Sequence, residues 1–414
     1  MRGERPAWVQ QLHQEYGPVV HLSPSEVDFC SISAAKQIHR FRAPFLKSNF
    51  YTNLRGNSIV ADNAFTTTDL VYHARHRRLL SGPISKSSLK SIEPVVTARV
   101  DLAIQKMGEE MKARGCLSFG DSFLMLEIGK KNQYAEDLET VASLTCLRAS
   151  FPASIRFASS LPFKLPLFHK ASESAFRISR HKRIVDADPS NAPPTLLSKL
   201  YQAGEEGLSQ DEIIAKARTY IIAGSDTTAH SLTYLVWAVC KDDTIKRRLA
   251  EEVAVLREGY TDDDLESLPY LNQVLQETLR IYSAAPGPLP RFVPEGGCDI
   301  DGYWVPGGLT VTTQAWSMHR DSSVYPDPYR FDPSRWENAT KEMYDAWMPF
   351  GGSPSNCIGL HLAQKELRLA TVRFFQAFPN AKVSSREGFS DDDMMSKCYM
   401  LIFPKGKRYL IEGS

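Results

Sequence analysis

Ten residues, Phe350-Gly351-Gly352-Ser353-Pro354-Ser355-Asn356-Cys357-Ile358-Gly359, place one cysteine in a loop bent by glycine and proline, directly ahead of an apolar helical run beginning at Ile358. Backbone N–H groups at a helix start carry a positive end charge, which stabilises an anionic sulfur and lowers its pKa. A thiolate presented this way can ligate iron. The plain alternative is a buried unpaired thiol in a tight turn, the usual fate of free cysteine.

Upstream, Tyr220-Ile221-Ile222-Ala223-Gly224-Ser225-Asp226-Thr227-Thr228-Ala229-His230 interrupts a run that is otherwise apolar from Ile213 to Val239. An acid beside an alcohol in an apolar interior must be hydrogen-bonded or serve chemistry, because unsatisfied burial costs roughly 1–3 kcal/mol per group. Gly224 weakens a helix by about 1 kcal/mol relative to Ala, which makes sense where a flat ligand or dioxygen approaches the backbone. The bland reading is a kinked core helix whose Thr hydroxyls bond back to carbonyls one turn earlier. Further on, Glu277-Thr278-Leu279-Arg280 puts opposite charges on one helical face, and Pro333-Ser334-Arg335-Trp336 offers a second arginine that could complete a carboxylate clamp.

In that order, with Cys357 lying 80 positions after Glu277, these motifs resemble the cytochrome P450 family of haem-thiolate monooxygenases. The resemblance extends to Asp69-Leu70-Val71-Tyr72-His73-Ala74-Arg75-His76-Arg77-Arg78, which is similar to the helix that holds a haem propionate in fungal members, and so covers most of the chain. It implies a mainly α fold with small β-sheets, a triangular prism-like single domain over residues 1–414. It implies haem b with Cys357 as axial thiolate, which favours O–O cleavage. Phe350 would shield the sulfur, and Gly359 would let the following helix pass close to the porphyrin. Thr227 would hydrogen-bond bound dioxygen while Asp226 relays protons, assistance worth about 10²–10⁴-fold. His73, Arg77 and Arg291 would pair with haem propionates, and Glu277, Arg280 and Arg335 would form the structural clamp. Each of these charges, taken singly, also reads as ordinary surface charge.

Two departures from the family pattern stand out. Ser353 replaces the usual Gly, and Ser355 replaces a basic residue, which removes one charged propionate partner; weaker haem retention or an altered redox potential is the expectation. The chain also reads as shortened. Met1-Arg2-Gly3-Glu4-Arg5-Pro6 supplies none of the roughly 20 apolar residues a spanning anchor needs, and a segment is missing near residues 115–116.

Bulk composition agrees with one catalytic unit. The chain has 414 residues, is 43% hydrophobic and can bury a large core, while a net charge of +1 gives no attraction to nucleic acid. Seven irregularly spaced cysteines, without a CxxC, fit a reducing compartment. Periodicity predicts helices over 87–112, 134–147, 211–240, 244–257, 270–282 and 358–378. Strands are predicted at 19–22 and 26–29, with a hairpin turning at Pro306-Gly307-Gly308. The six prolines between 151 and 194 mark either a substrate lid, by resemblance, or a surface connection. The resemblance also draws a substrate pocket from 50–68, Ala223, 284–289 and 394–399.

No flavin or nicotinamide fingerprint is present, so electrons are expected from NADPH through a separate NADPH-cytochrome P450 reductase. Arg75 and Arg78, with Lys365 or Arg368, are expected to face that partner. The resemblance further implies a monomer acting on a hydrophobic small molecule in fungal secondary metabolism. It places the enzyme on the cytosolic face of the endoplasmic reticulum, or in the cytoplasm if the anchor is absent. Two rival readings are a degenerate, non-catalytic haem-binding remnant and an O2-independent haem-thiolate isomerase or dehydratase.

Overall fold

The computed structural model describes residues 3–55, 63–82, 84–114, 117–118, 151–160 and 210–413, with isolated positions between 144 and 173. The predicted helix over 134–147, most of the 151–194 segment and the 115–116 junction lie outside the described residues. The chain divides into two compact units, one of residues 1–46, 94–123 and 226–414, the other of 47–93 and 124–225.

In the first unit, Val19–Ser23 and Glu26–Phe29 pair antiparallel, and Glu26–Phe29 pairs parallel with Thr310–Thr312, which in turn pairs antiparallel with Arg291–Phe292. Alternate residues of these strands face inward, and Val27, Phe29, Val311 and Val293 join Ile38, Ile300 and Val305 in one buried cluster. The Arg5–Tyr16 helix is tied to this sheet by His13, whose Nε2 lies 2.8 Å from the buried Asp28 carboxylate.

The predicted hairpin turn at 306–308 is corrected. Cys298–Ile300 pairs with Tyr303–Val305, so the chain reverses at Asp301 (φ 54°) and Gly302 (φ 84°). Two successive left-handed residues match the right-handed strand twist, and Asp-Gly provides them. Gly307 serves close approach instead, since a Cβ there would sit 2.8 Å from the Pro294 carbonyl.

Helices dominate the remainder. The expected 87–112 helix is split into Lys86–Leu89, a 3-10 turn Lys90–Ile92, and Glu93–Arg114. Its first turn is capped by Ser85, whose hydroxyl accepts the Ser88 N–H, and the first break comes after Leu89. Gln210–Lys241 runs through 32 residues, and Asp243–Ala254 is capped by Asp242 and stops short of 257. Pro269–Ile281 begins with proline at its first turn, where a missing N–H costs nothing, and buries Leu271, Val274, Leu275 and Leu279. The helix after Cys357 starts at Leu360, with Gly359 as its cap, two residues later than periodicity predicts.

Candidate active site

Glu277 is wholly buried, and every side of its carboxylate is occupied. Oε1 accepts from Arg280 Nη2 (2.8 Å), Arg335 Nε (3.0 Å) and Asp332 N–H (2.9 Å); Oε2 accepts from Arg280 Nε (2.8 Å) and Trp336 Nε1 (3.0 Å). Arg280 also donates Nη1 to the carbonyls of His319 (2.6 Å) and Pro328 (2.8 Å). The Pro333–Trp336 3-10 turn sets Arg335 and Trp336 toward the same carboxylate. Trp336 is simultaneously part of an apolar cluster with Met318, Tyr325, Met343 and Ala346, which keeps water from the charges.

His319 joins this clamp to the cysteine loop. Its Nδ1 donates to the Arg280 carbonyl (2.8 Å), and its Nε2 accepts Met348 N–H (2.9 Å). These partners require the neutral ring, and burial, aided by the Arg280 and Arg320 charges, pushes its pKa down to about 3. Met348 then accepts Gly351 N–H at 3.1 Å, and Phe350 accepts Cys357 N–H at 2.7 Å. Gly351 has φ 77°, a conformation that favours glycine. The Phe350 ring packs edge-on against Trp347 at 6.3 Å.

Cys357 is exposed, whereas Cys240 and Cys398 are buried. It therefore does not follow the usual fate of a free thiol. A Cβ at residue 359 would stand 3.8 Å from its sulfur, an ordinary contact distance. A thiol held outward by a rigid loop fits the axial ligand of a haem.

The platform beside this loop is polar and buried. Gly352 packs so closely on His39 that a Cβ would meet the His39 Cβ at 2.6 Å. His39 Nε2 contacts Thr313 Oγ1 at 2.9 Å, and its buried Nδ1 has no hydrogen-bond partner among the described residues. Burial, with the Arg291 cation as a lesser cause, pushes the imidazole down to about 3. Arg291 is itself buried and donates Nη1 to the Pro290 carbonyl. Arg291 and His39 thus share one buried environment beside the cysteine loop.

Asp226 and Thr227 are half-buried on the Gln210–Lys241 helix. Back-bonding of the bland kind occurs further along, where Thr233 Oγ1 donates to the Ala229 carbonyl at 2.9 Å. Thr228 instead hydrogen-bonds Glu366, whose carboxyl burial pushes up to about 7. His230, one turn beyond Asp226, lies against Phe403 with ring centroids 6.4 Å apart. In the second unit, Asp69 caps the Leu70–Ser81 helix. His73 and Arg77 are half-buried one turn apart, while Arg75 and Arg78 are exposed.

One expectation fails. Lys365 and Arg368 do not face outward: both are buried, and Arg368 makes two 3.0 Å bonds to the Asp262 carboxylate. Asp262 lies 106 positions away, so local sequence gave no hint of it. Glu366, His319, His39 and Trp336 were likewise missed as site residues, although the i, i+9 spacing of Cys357 and Glu366 was visible.

Comparison with known proteins yields a family profile described as Cytochrome P450, matching residues 2–410. A cytochrome P450 monooxygenase, tazI, of Aspergillus terreus is 45% identical over 99% of this chain and 89% of its own length. The monooxygenase azaI of Aspergillus niger is 35% identical, covering 96% of this chain and 94% of that protein. The monooxygenase aflV of Aspergillus parasiticus is 31% identical, covering 98% and 85% respectively.

Proposed function

The chain belongs to the cytochrome P450 family, and on that premise we infer that it is a haem-thiolate monooxygenase inserting one oxygen atom from O2 into a hydrophobic small molecule. The observation that carries this reading is the exposed Cys357 thiol on a loop pinned through His319 to a fully satisfied Glu277–Arg280–Arg335 clamp.

Bound to Cys357, haem supplies the electron-rich iron at which dioxygen is activated. The protein's own groups do the rest. Phe350 would keep water from the sulfur once the haem is bound, and Arg291, as also His73 and Arg77 by the family resemblance, would neutralise a haem propionate. Asp226 would hold a proton at its carboxyl and Thr227 would pass one on at its hydroxyl. The electrons the chemistry needs come from a redox partner, and NADPH through a flavoprotein reductase is the donor this reading favours. The exposed Arg75 and Arg78 support an acidic docking partner.

Fungal motifs and fungal relatives support a role in secondary-metabolite tailoring. Among the described residues no helix is long and apolar enough to cross a membrane. Residence on the cytosolic face of the endoplasmic reticulum, as a monomer, is proposed from the family alone. The remnant and O2-independent readings are not favoured, since the relatives are monooxygenases.

The deciding experiment is the ferrous carbon monoxide difference spectrum of the haem-reconstituted protein and of Cys357→Ala. A strongly red-shifted Soret band in the first, lost in the second, is expected. A spectrum indifferent to Cys357, or no haem uptake, would overturn the reading.

A further inference from the structure

From Asp226 and Thr227 onward, one face of the Gln210–Lys241 helix carries His230, Tyr234 and Lys241, at spacings that a helix aligns. All three meet the C-terminal segment. His230 faces Phe403, Tyr234 is hydrogen-bonded to Ser396, and Lys241 pairs with Asp391. We propose that Tyr234 is a positioning residue for the substrate site, fixing the hairpin of Ser396–Cys398 and Ile402–Pro404 and the turn after Tyr282 against the helix that carries Asp226 and Thr227.

The Tyr234 side chain is fully buried and makes contacts in two directions. Its ring stacks on Tyr282, with centroids 4.6 Å apart and planes within 4° of parallel, and Trp237 packs edge-on against both rings. Its hydroxyl oxygen accepts from Ser396 Oγ at 3.1 Å. Tyr282 leads through Ser283 to Ala284, whose carbonyl accepts the Ile402 N–H at 2.9 Å. Ser396 and Ile402 lie on the two paired strands of the hairpin. Helix, turn and hairpin are thus joined in a closed circuit of contacts, and Tyr234 is the side chain that links the helix to both other members. A two-stranded hairpin has little stability of its own, so its place is set by what it is tied to.

This step rests on the haem-thiolate reading, which puts the reacting centre beside Asp226 and Thr227, and adds a residue to it. At the hairpin tip Tyr399 stacks on Phe403 with centroids 5.5 Å apart, and Phe403 faces His230, one turn beyond Asp226. The hairpin therefore forms an aromatic wall leading to the acid–alcohol pair. Tyr234 itself stands seven residues beyond Thr227, roughly 10 Å along the helix axis at about 1.5 Å per residue. It acts through the wall rather than by touching substrate, and a wall held in place beforehand binds a ligand more tightly than one that must be ordered on binding.

The test compares two probes on the purified holoprotein, imidazole and 4-phenylimidazole. Both coordinate haem iron through the same ring and are read by the Soret shift, while the phenyl group of the second reaches the walls. Tyr234→Phe keeps the stacking and removes the hydroxyl; Ser396→Ala removes the partner. In each variant the Kd for 4-phenylimidazole should rise about fivefold, the effect of one ordinary hydrogen bond, with the Kd for imidazole unchanged. The double variant should match the single ones, as expected when two changes break the same contact. Hydrogen exchange of residues 396–404 in the azole-free protein should accelerate in both. Unchanged 4-phenylimidazole affinity would overturn the proposal. So would equal weakening of both azoles, which marks a general effect on the haem, additive losses in the double variant, or unaltered exchange. Failure of the parent protein to bind imidazole at haem would instead strike the haem-thiolate reading itself.

Discussion

Replacing Glu277 by Gln changes one atom and disrupts a buried network. The carboxylate accepts five hydrogen bonds, two of them from a guanidinium with no solvent exposure. An amide nitrogen placed at Oε2 would point its own N–H groups at Arg280 Nε and Trp336 Nε1. One placed at Oε1 would oppose three donors. Either way both arginines lose their counter-charge, and stripping one partner from a buried pair costs about 3–5 kcal/mol. Arg335→Met is the internal control. It leaves Glu277 paired with Arg280, Trp336 and Asp332, so its cost should be about 1.5–3 kcal/mol, the range for hydrogen bonds to a charged group. Urea titration of the holoprotein, followed by tryptophan fluorescence and by the carbon monoxide band, reads both. The midpoint should fall in the order parent, Arg335→Met, Glu277→Gln. A Glu277→Gln midpoint equal to or above that of Arg335→Met would refute the view that the carboxylate is the hub.

Three further outcomes are expected. Glu366 has a folded-state pKa of about 7 against an ordinary 4.5, so its stability contribution falls as pH rises from 4.5 through 7 and the buried charge costs about 3 kcal/mol by pH 8. Glu366→Gln should therefore raise the melting temperature at pH 8 and leave it unchanged near pH 4.5; an equal shift at both would remove burial as the cause. Ser355→Arg should increase haem occupancy and move the reduction potential, and unchanged values would show that the loop does not need the charge. Charge reversal at the exposed Arg75 and Arg78 should slow reduction by a flavoprotein reductase several-fold at low salt without altering substrate binding, an idea that unchanged reduction kinetics would end.

What the sequence disclosed, and what it hid, follows from the range of the interactions. The Glu277–Arg280 pair was legible because both partners lie within one helical turn, and the outward thiol because glycine and proline bend the chain around it. The strands at 19–22 and 26–29 were legible from alternation, though not their pairing. The hairpin was misplaced because Pro306-Gly307-Gly308 carries a strong turn composition, whereas the decisive signal was the shorter Asp301-Gly302. Lys365 and Arg368 looked like surface charge because nothing local shows that Asp262 meets them. His39 and His319 were silent for the same reason. A single histidine has no periodicity, and their partners at Thr313, Met348 and the Arg280 carbonyl are 274, 29 and 39 positions away.

Those silent residues are the ones that hold the thiol in place. The Cys357 N–H donates to the Phe350 carbonyl, and the helix that follows begins three residues later. The loop's rigidity is imported. One support runs from Glu277 through Arg280 and the neutral His319 ring to Met348; the other comes from His39 against Gly352. Neither ring becomes charged near neutral pH, because burial holds both near 3, so both supports keep one protonation state. Weakening the clamp should accordingly loosen the cysteine loop, and with it the carbon monoxide band, at urea concentrations where the helices still stand.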